Sequence, residues 1–171
     1  ADIWRHLNEL NKHHATTLKQ DKAFLPEYIG FQDVFRCGLN IPNGNDTKRF
    51  KGYSLSDALK ASAEEFFNGI CRYIDVMERE KHEFDVLVIY IPNQLSKMRE
   101  LKNENVYFDL HDSLKIYCAG KGIVTQIIEE RSVHTNSDMA KIIWGLSTAI
   151  YTKAIGKLWK PKTTRYDTAY I

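Results

Sequence analysis

Asp109-Leu110-His111-Asp112-Ser113-Leu114-Lys115-Ile116-Tyr117-Cys118-Ala119-Gly120-Lys121-Gly122-Ile123-Val124-Thr125-Gln126 passes from a helical pattern to a strand pattern across one tight turn. Over residues 111–120, Leu114, Tyr117 and Cys118 recur three and four apart, which predicts a short helix with one apolar face. Gly120 and Gly122 bracket its end, where a left-handed cap is easiest for glycine. Residues 124–128 then carry the β-branched run of a buried strand. Tyr117 and Lys121, four apart, share one helical face if the last turn holds. Gln126 follows past a turn that can fold the strand back beside that face. The expectation is that a ring, an ammonium and an amide converge, offering a stacking surface, a point charge for phosphate and a directional donor. Such a set suits a terminal nucleotide with its phosphate better than bond-breaking chemistry. Spacing alone equally allows Tyr117 to pack in the core, with Lys121 a solvated lysine at a helix end.

Working outward, residues 85–92 (Asp-Val-Leu-Val-Ile-Tyr-Ile-Pro) form a continuous apolar run, the mark of a strand covered on both faces, and Pro92 ends it. Residues 54–80 predict the strongest helix, with Leu59, Ala63, Phe66, Phe67, Ile70, Ile74 and Met77 in one stripe and Glu64, Glu65, Glu78 and Glu80 on the wet side. Ser54 or Ser56 can cap it. Residues 138–153 predict a buried crossover helix with Lys153 in its last turn, where a lysine also complements the helix dipole. Helix, strand, helix, strand, helix implies parallel strands joined by right-handed crossovers. The expected fold is therefore α/β: a three-layer Rossmann-like domain with a mainly parallel central sheet flanked by helices. In such sheets ligands bind beyond the carboxyl ends of the strands.

The flanking segments read more plainly. Residues 3–18 predict an amphipathic helix through Trp4, Leu7, Leu10 and Leu18, with His6, His13 and His14 near one face and no carboxylate or thiolate at metal-ligand spacing. Phe24, Tyr28, Phe31 and Phe35 read as core anchors, residues 34–39 as an edge strand, 42–52 as a surface loop and 93–107 as a polar connection.

Tyr117-x3-Lys121, then Thr125-Gln126, then Lys153 within Tyr151-Thr152-Lys153-Ala154-Ile155-Gly156-Lys157-Leu158-Trp159, resembles the MID domain of an Argonaute, and of the prokaryotic branch more than others. The resemblance runs from about Gly30-Phe31 to the end of the chain. It implies that Tyr117 stacks on the first base of a guide strand and that Lys121, Gln126 and Lys153 bind its 5′-phosphate. Thr125, Lys115 and Lys157 follow as secondary contacts. In some family members a divalent ion such as Mg2+ bridges the phosphates. The implied organisation is an N-terminal helix and linker over 1–29, a guide-end-binding domain over 30–165 and the start of a PIWI domain over 166–171. Family members often have proline before the tryptophan, whereas Leu158 precedes Trp159 here. The implied partners are a short 5′-phosphorylated guide RNA or DNA, target nucleic acid and, in a short prokaryotic Argonaute, a companion effector protein acting in defence. The domain itself would be non-catalytic.

Composition is consistent with this. The chain has 171 residues, 43% hydrophobic and 27% charged, enough to bury one core without staples. No apolar run approaches a membrane span, and Cys37, Cys71 and Cys118 form no C-x-x-C, so a reduced, cytoplasmic setting is expected. The net charge of +2 hides an asymmetry: residues 141–165 hold six basic and no acidic residues, while residues 57–85 hold eight acidic against four basic. A polyanion would meet the C-terminal third, while on composition alone the stretch reads first as a lysine-rich surface near a terminus.

Phosphate-loop and dinucleotide fingerprints are missing. Gly145-Leu146-Ser147-Thr148-Ala149 falls inside a helical pattern and reads as packing, and Cys118 as a small buried residue. The rival reading is a Rossmann-like enzyme or binding domain for a small phosphorylated metabolite or free nucleotide. It would use Lys121 and Gln126, with only Asp112, Glu129 and His111 nearby as acid, base or nucleophile.

Overall fold

The computed structural model describes residues 2–16, 27–43, 45, 54–103, 106–133, 139–155 and 157. Leu158, Trp159 and the expected PIWI start at 166–171 lie outside these. The helices are α1 (Asp2–Glu9), α2 (Phe31–Phe35), α3 (Leu55–Lys60), α4 (Ala63–Glu78), α5 (Leu110–Gly120), α6 (Glu130–Val133) and α7 (Met139–Ile155). The strands are β1 (Leu87–Ile91), β2 (Glu100–Asn103), β3 (Val106–Asp109) and β4 (Thr125–Glu129).

The chain is a mixed α/β fold built on a parallel pair. β1 and β4 run in register from Leu87 opposite Thr125 to Ile91 opposite Glu129. Among the described residues this parallel sheet has two strands, while β2 and β3 form a separate antiparallel pair. Side chains alternate across the pair, and both faces are covered. Leu87, Ile89, Ile91 and Ile127 pack with Phe66, Ile74, Leu110, Leu114 and Cys118 from α4 and α5. Val88, Tyr90 and Ile128 pack on the other side with Leu7, Leu10, Tyr28, Phe31, Phe35, Ile143 and Ile150. The continuous apolar character of both strands follows from this double covering.

Four local expectations need correcting. Residues 54–80 form two helices, because Ser62 starts α4 with a reciprocal cap: its hydroxyl accepts from the Glu65 amide at 3.2 Å, and Glu65 accepts from the Ser62 amide at 2.7 Å. Residues 34–39 are no strand; α2 occupies 31–35, entered through Gly30 at φ 101° and closed by Arg36 at φ 58°. A side chain at Gly30 would also press on the Asn11 carbonyl at 3.2 Å. The first helix stops at Glu9, and His14 pairs its backbone with Tyr28 instead. The connection at 93–107 holds a 3-10 turn (Asn93–Met98) and the β2–β3 hairpin.

Tyr28 ties the N-terminal segment to α7. It is fully buried, and its hydroxyl donates to the Leu10 carbonyl at 2.7 Å while sharing a 2.7 Å hydrogen bond with the buried Ser147 hydroxyl. Burial pushes the Tyr28 phenol up to about 12, against a smaller opposing effect of Ser147. Ser147 thus has a packing role inside α7, as its helical context indicates.

Candidate anion-binding site

α5 forms where expected. Asp109 caps it by accepting from the Asp112 amide at 3.0 Å, Leu110, Leu114 and Cys118 are buried, and Gly122 at φ 67° lets the Gly122 and Ile123 amides return to the Ala119 and Cys118 carbonyls. This geometry carries Tyr117 and Lys121 to one face, with the Lys121 ammonium 4.9 Å from the Tyr117 ring centroid.

That face looks onto α4, whose acids meet it. Lys121 Nζ lies 2.8 Å from Asp75 Oδ1 and 2.9 Å from Glu78 Oε2, and the Tyr117 hydroxyl donates to Asp75 Oδ1 at 2.7 Å. Asp75 and then Glu78 raise the Lys121 ammonium well above the usual lysine range; Lys121 and then Tyr117 hold Asp75 below the usual carboxylate range. Tyr117 packs edge-on against Phe67 at 6.0 Å between centroids and is half-buried. The Lys121 ammonium is thus already paired with two carboxylates, while a second ammonium, Lys81, donates to the Lys121 carbonyl at 2.9 Å.

The expected convergence of Tyr117, Lys121, Gln126 and Lys153 is therefore divided in two. Strand alternation is the reason: Gln126 shares its parity with Ile128 and faces the α7 side, whereas Tyr117 and Lys121 belong to the α4–α5 side. On the α7 side the Lys153 ammonium donates to the Thr125 carbonyl at 2.6 Å and to Gln126 Oε1 at 2.7 Å. Gln126 Nε2 donates to the Ile127 carbonyl at 2.9 Å. The Val124 carbonyl accepts from Leu87, so the Thr125 and Ile127 carbonyls turn to the opposite edge of β4. Lys153 and Gln126 satisfy that edge, which pairs with no strand among the described residues.

Lys115 on α5 is the cation whose charge acts on Lys153. Burial first, and the positive charge of Lys115 second, hold the Lys153 ammonium below the ordinary lysine range. Lys115 is exposed, as is Lys157, four residues beyond Lys153 in sequence. No carboxylate pairs with Lys115 or Lys153 among the described residues. His111 precedes Lys115 by four residues and lies on the same flank of α5, away from Tyr117. The sequence signal for it was present as His111-x3-Lys115, masked by the matching Tyr117-x3-Lys121. Thr125 is buried and its hydroxyl donates inward to the Ile123 carbonyl at 3.4 Å.

Asp109, His111 and Asp112 bring potential ligand atoms within 4.8 Å of one another at the start of α5. The cap and a 3.1 Å contact between His111 Nδ1 and Asp112 Oδ1 account for that grouping. Around Lys153 the groups are its ammonium, the Gln126 amide and the Thr125 carbonyl, with no carboxylate ligand among the described residues, so a divalent ion such as Mg2+ would be held there mainly by the phosphates it bridges. Of the N-terminal histidines, His14 contacts the Glu9 carbonyl at 2.9 Å and His13 lies 3.5 Å from Glu27, both on the far side from this cluster in sequence. No described helix is long and apolar enough to cross a membrane.

Comparison of the chain with protein-family models and with curated proteins gives no match.

Proposed function

We propose that this chain anchors the 5′-phosphorylated end of a short guide strand, in the manner of the MID domain of a prokaryotic Argonaute, and that Lys153, Gln126 and Lys115 receive the phosphate. The observation that carries this reading is the Lys153 ammonium, half-buried and held by the Thr125 carbonyl at 2.6 Å and Gln126 Oε1 at 2.7 Å, with no carboxylate ion-paired to it among the described residues. A buried ammonium without a counter-ion gains from an incoming dianion. Lys153 has three donors and uses two on Thr125 and Gln126, leaving one for a ligand. The existing bonds also fix the ammonium in place before binding.

The roles of the other residues shift accordingly. Lys157, exposed and four residues past Lys153 in sequence, extends the positive surface toward the next phosphate. Tyr117 and Lys121 serve the α4–α5 packing, and the ring on Lys115's flank of α5 is His111, which replaces Tyr117 as the surface for the first base. The reading treats the fold as three-layered and Rossmann-like, supported by apolar cores on both faces of the β1–β4 pair. It assigns binding and no bond cleavage to this chain, in a cytoplasmic protein that acts with target nucleic acid and an effector in defence. Those wider roles rest on the resemblance alone.

The test compares 5′-phosphorylated with 5′-hydroxyl oligonucleotides of one sequence. Wild type should prefer the phosphorylated strand, Lys153→Ala and Lys115→Ala should each remove most of that preference, and Lys121→Ala should keep it. Equal binding of both strands by the wild type rules the reading out. A stronger response to free nucleotides than to the phosphorylated oligonucleotide favours a small phosphorylated metabolite instead.

A further inference from the structure

α3 and α4 meet at residues 61–62, and an open cleft of about 470 Å³ lies between them, within the size range of small-molecule sites. Asp57 and Lys60 line it from α3, and Glu65, Asn68, Gly69 and Arg72 line it from α4. Their spacing explains the lining. Asp57 and Lys60 are three apart, and the α4 residues follow Glu65 at three, four and seven, so each set shares one helical face. Each wall therefore carries one acid and one base, and the four charges cancel.

Both walls are fixed from behind. Ala58 of α3 and Phe66 and Ile74 of α4 are buried in one apolar core. The reciprocal Ser62–Glu65 cap already takes up the start of α4, so the chemistry of the cleft lies in its side chains. Asp57, Lys60, Asn68 and Arg72 make no side-chain hydrogen bond or ion pair among the described residues. Charges of both signs thus face one space without meeting each other. Ala61 is the one apolar side chain in the lining, so the cleft offers no wall to an aromatic ring or a long aliphatic chain.

We propose that this cleft binds a free, polar α-amino acid as its zwitterion, with Arg72 taking the carboxylate and Asp57 the ammonium. A guanidinium holds a carboxylate through two parallel N–H donors, which suits Arg72 to that role better than Lys60. Of the two acids, Asp57 has both oxygens open, whereas Glu65 uses one on the Ser62 amide. Asn68 adds an amide one turn from Arg72, and Lys60 is left for a polar side chain of the ligand. A lining with no net charge gives a simple anion little advantage, so the ligand must carry both signs. The site is independent of the guide-anchoring reading: α4 packs on one face of the β1–β4 pair, and α7, which carries Lys153, packs on the other.

The experiment titrates the whole chain with serine, N-acetylserine, serinamide and inorganic phosphate, following backbone amides by nuclear magnetic resonance. Serine should shift amides over residues 57–72 saturably, and each blocked derivative, which lacks one charge, should bind on the order of tenfold more weakly. Arg72→Ala and Asp57→Asn should each lose a similar factor without a change in melting temperature, because both side chains are exposed. Lys153→Ala and a saturating 5′-phosphorylated oligonucleotide should leave serine binding as it is. If serine produces no saturable shift, or N-acetylserine binds as tightly as serine, the proposal is overturned. Phosphate acting on the same amides as strongly as serine overturns it too, since the cleft is then an unselective basic patch. Serine binding in a protein with no 5′-phosphate preference would leave this site standing while the guide anchor fails.

Discussion

Lys121 Nζ stands 2.8 Å from Asp75 Oδ1, and the same oxygen accepts the Tyr117 hydroxyl at 2.7 Å. One carboxylate on α4 therefore orients both the lysine and the ring that end α5. The consequence for pH has a definite sign. Asp75 titrates below its unfolded value, so its contribution is present above about pH 3.9 and is lost as pH falls through the folded pKa. Lys121 titrates above its unfolded value, so its share is complete below about pH 10.4 and is lost only as pH rises through the higher folded pKa. Asp75→Asn should flatten the fall in melting temperature on the acid side and leave oligonucleotide binding intact. Identical acid limbs for wild type and variant, followed by circular dichroism from pH 2 to 8, would contradict the assignment.

Anion binding should have its own alkaline limit. Lys153 must be protonated to hold a phosphate, and its pKa is lowered by burial and then by Lys115. Affinity for a 5′-phosphorylated strand should decline at a lower pH than an ordinary lysine would dictate. Lys115→Met removes a repelling charge, so the limb should move to higher pH even though affinity at neutral pH falls. A limb that stays in place means that Lys115 and Lys153 do not sense each other.

Tyr28→Phe leaves the buried Leu10 carbonyl and Ser147 hydroxyl short of a partner. The expected loss is about 1–3 kcal/mol in chemical denaturation. Adding Ser147→Ala should cost less than the two single losses combined, because the pair shares one hydrogen bond. Strict additivity would show that the two hydroxyls are independent.

Ser62→Ala removes the cap that separates α3 from α4 and should destabilise the fold by about 1 kcal/mol. Glu65→Gln keeps an acceptor for the Ser62 amide and should cost less. Denaturant midpoints for the two variants decide their order.

Much of this fold can be read from the chain, and the places where reading fails share a cause. The apolar runs ending in Pro92 and near Ile128 announced two buried strands, and their parallel pairing follows from the helix between them. The long apolar stripe over 54–80 outweighed the Ser62-x-x-Glu65 signal, although that signal alone marks the break. Over 34–39 the pattern was too short to discriminate, and glycine and arginine at positive φ closed a helix instead. For the site, spacing correctly joined Tyr117 to Lys121 on one face and Lys153 to the end of α7. It could not disclose which wall each face meets. Asp75 was not singled out and Glu78 looked like a wet-side acid, because pairing across two helices leaves no mark in either helix's own period. Strand parity, which puts Gln126 opposite Ile127, was the available clue against a single cluster.

The hydroxyl of Tyr28, bridging Leu10 and Ser147, bears on how this chain can be cut for study. A fragment begun at residue 30, where the family resemblance starts, would strip α7 of Leu7, Leu10 and Tyr28 and lay bare an oily groove beside the anion site. Such a piece would tend to self-associate, and its failure to bind would report on the scissors and not on the chemistry of Lys153.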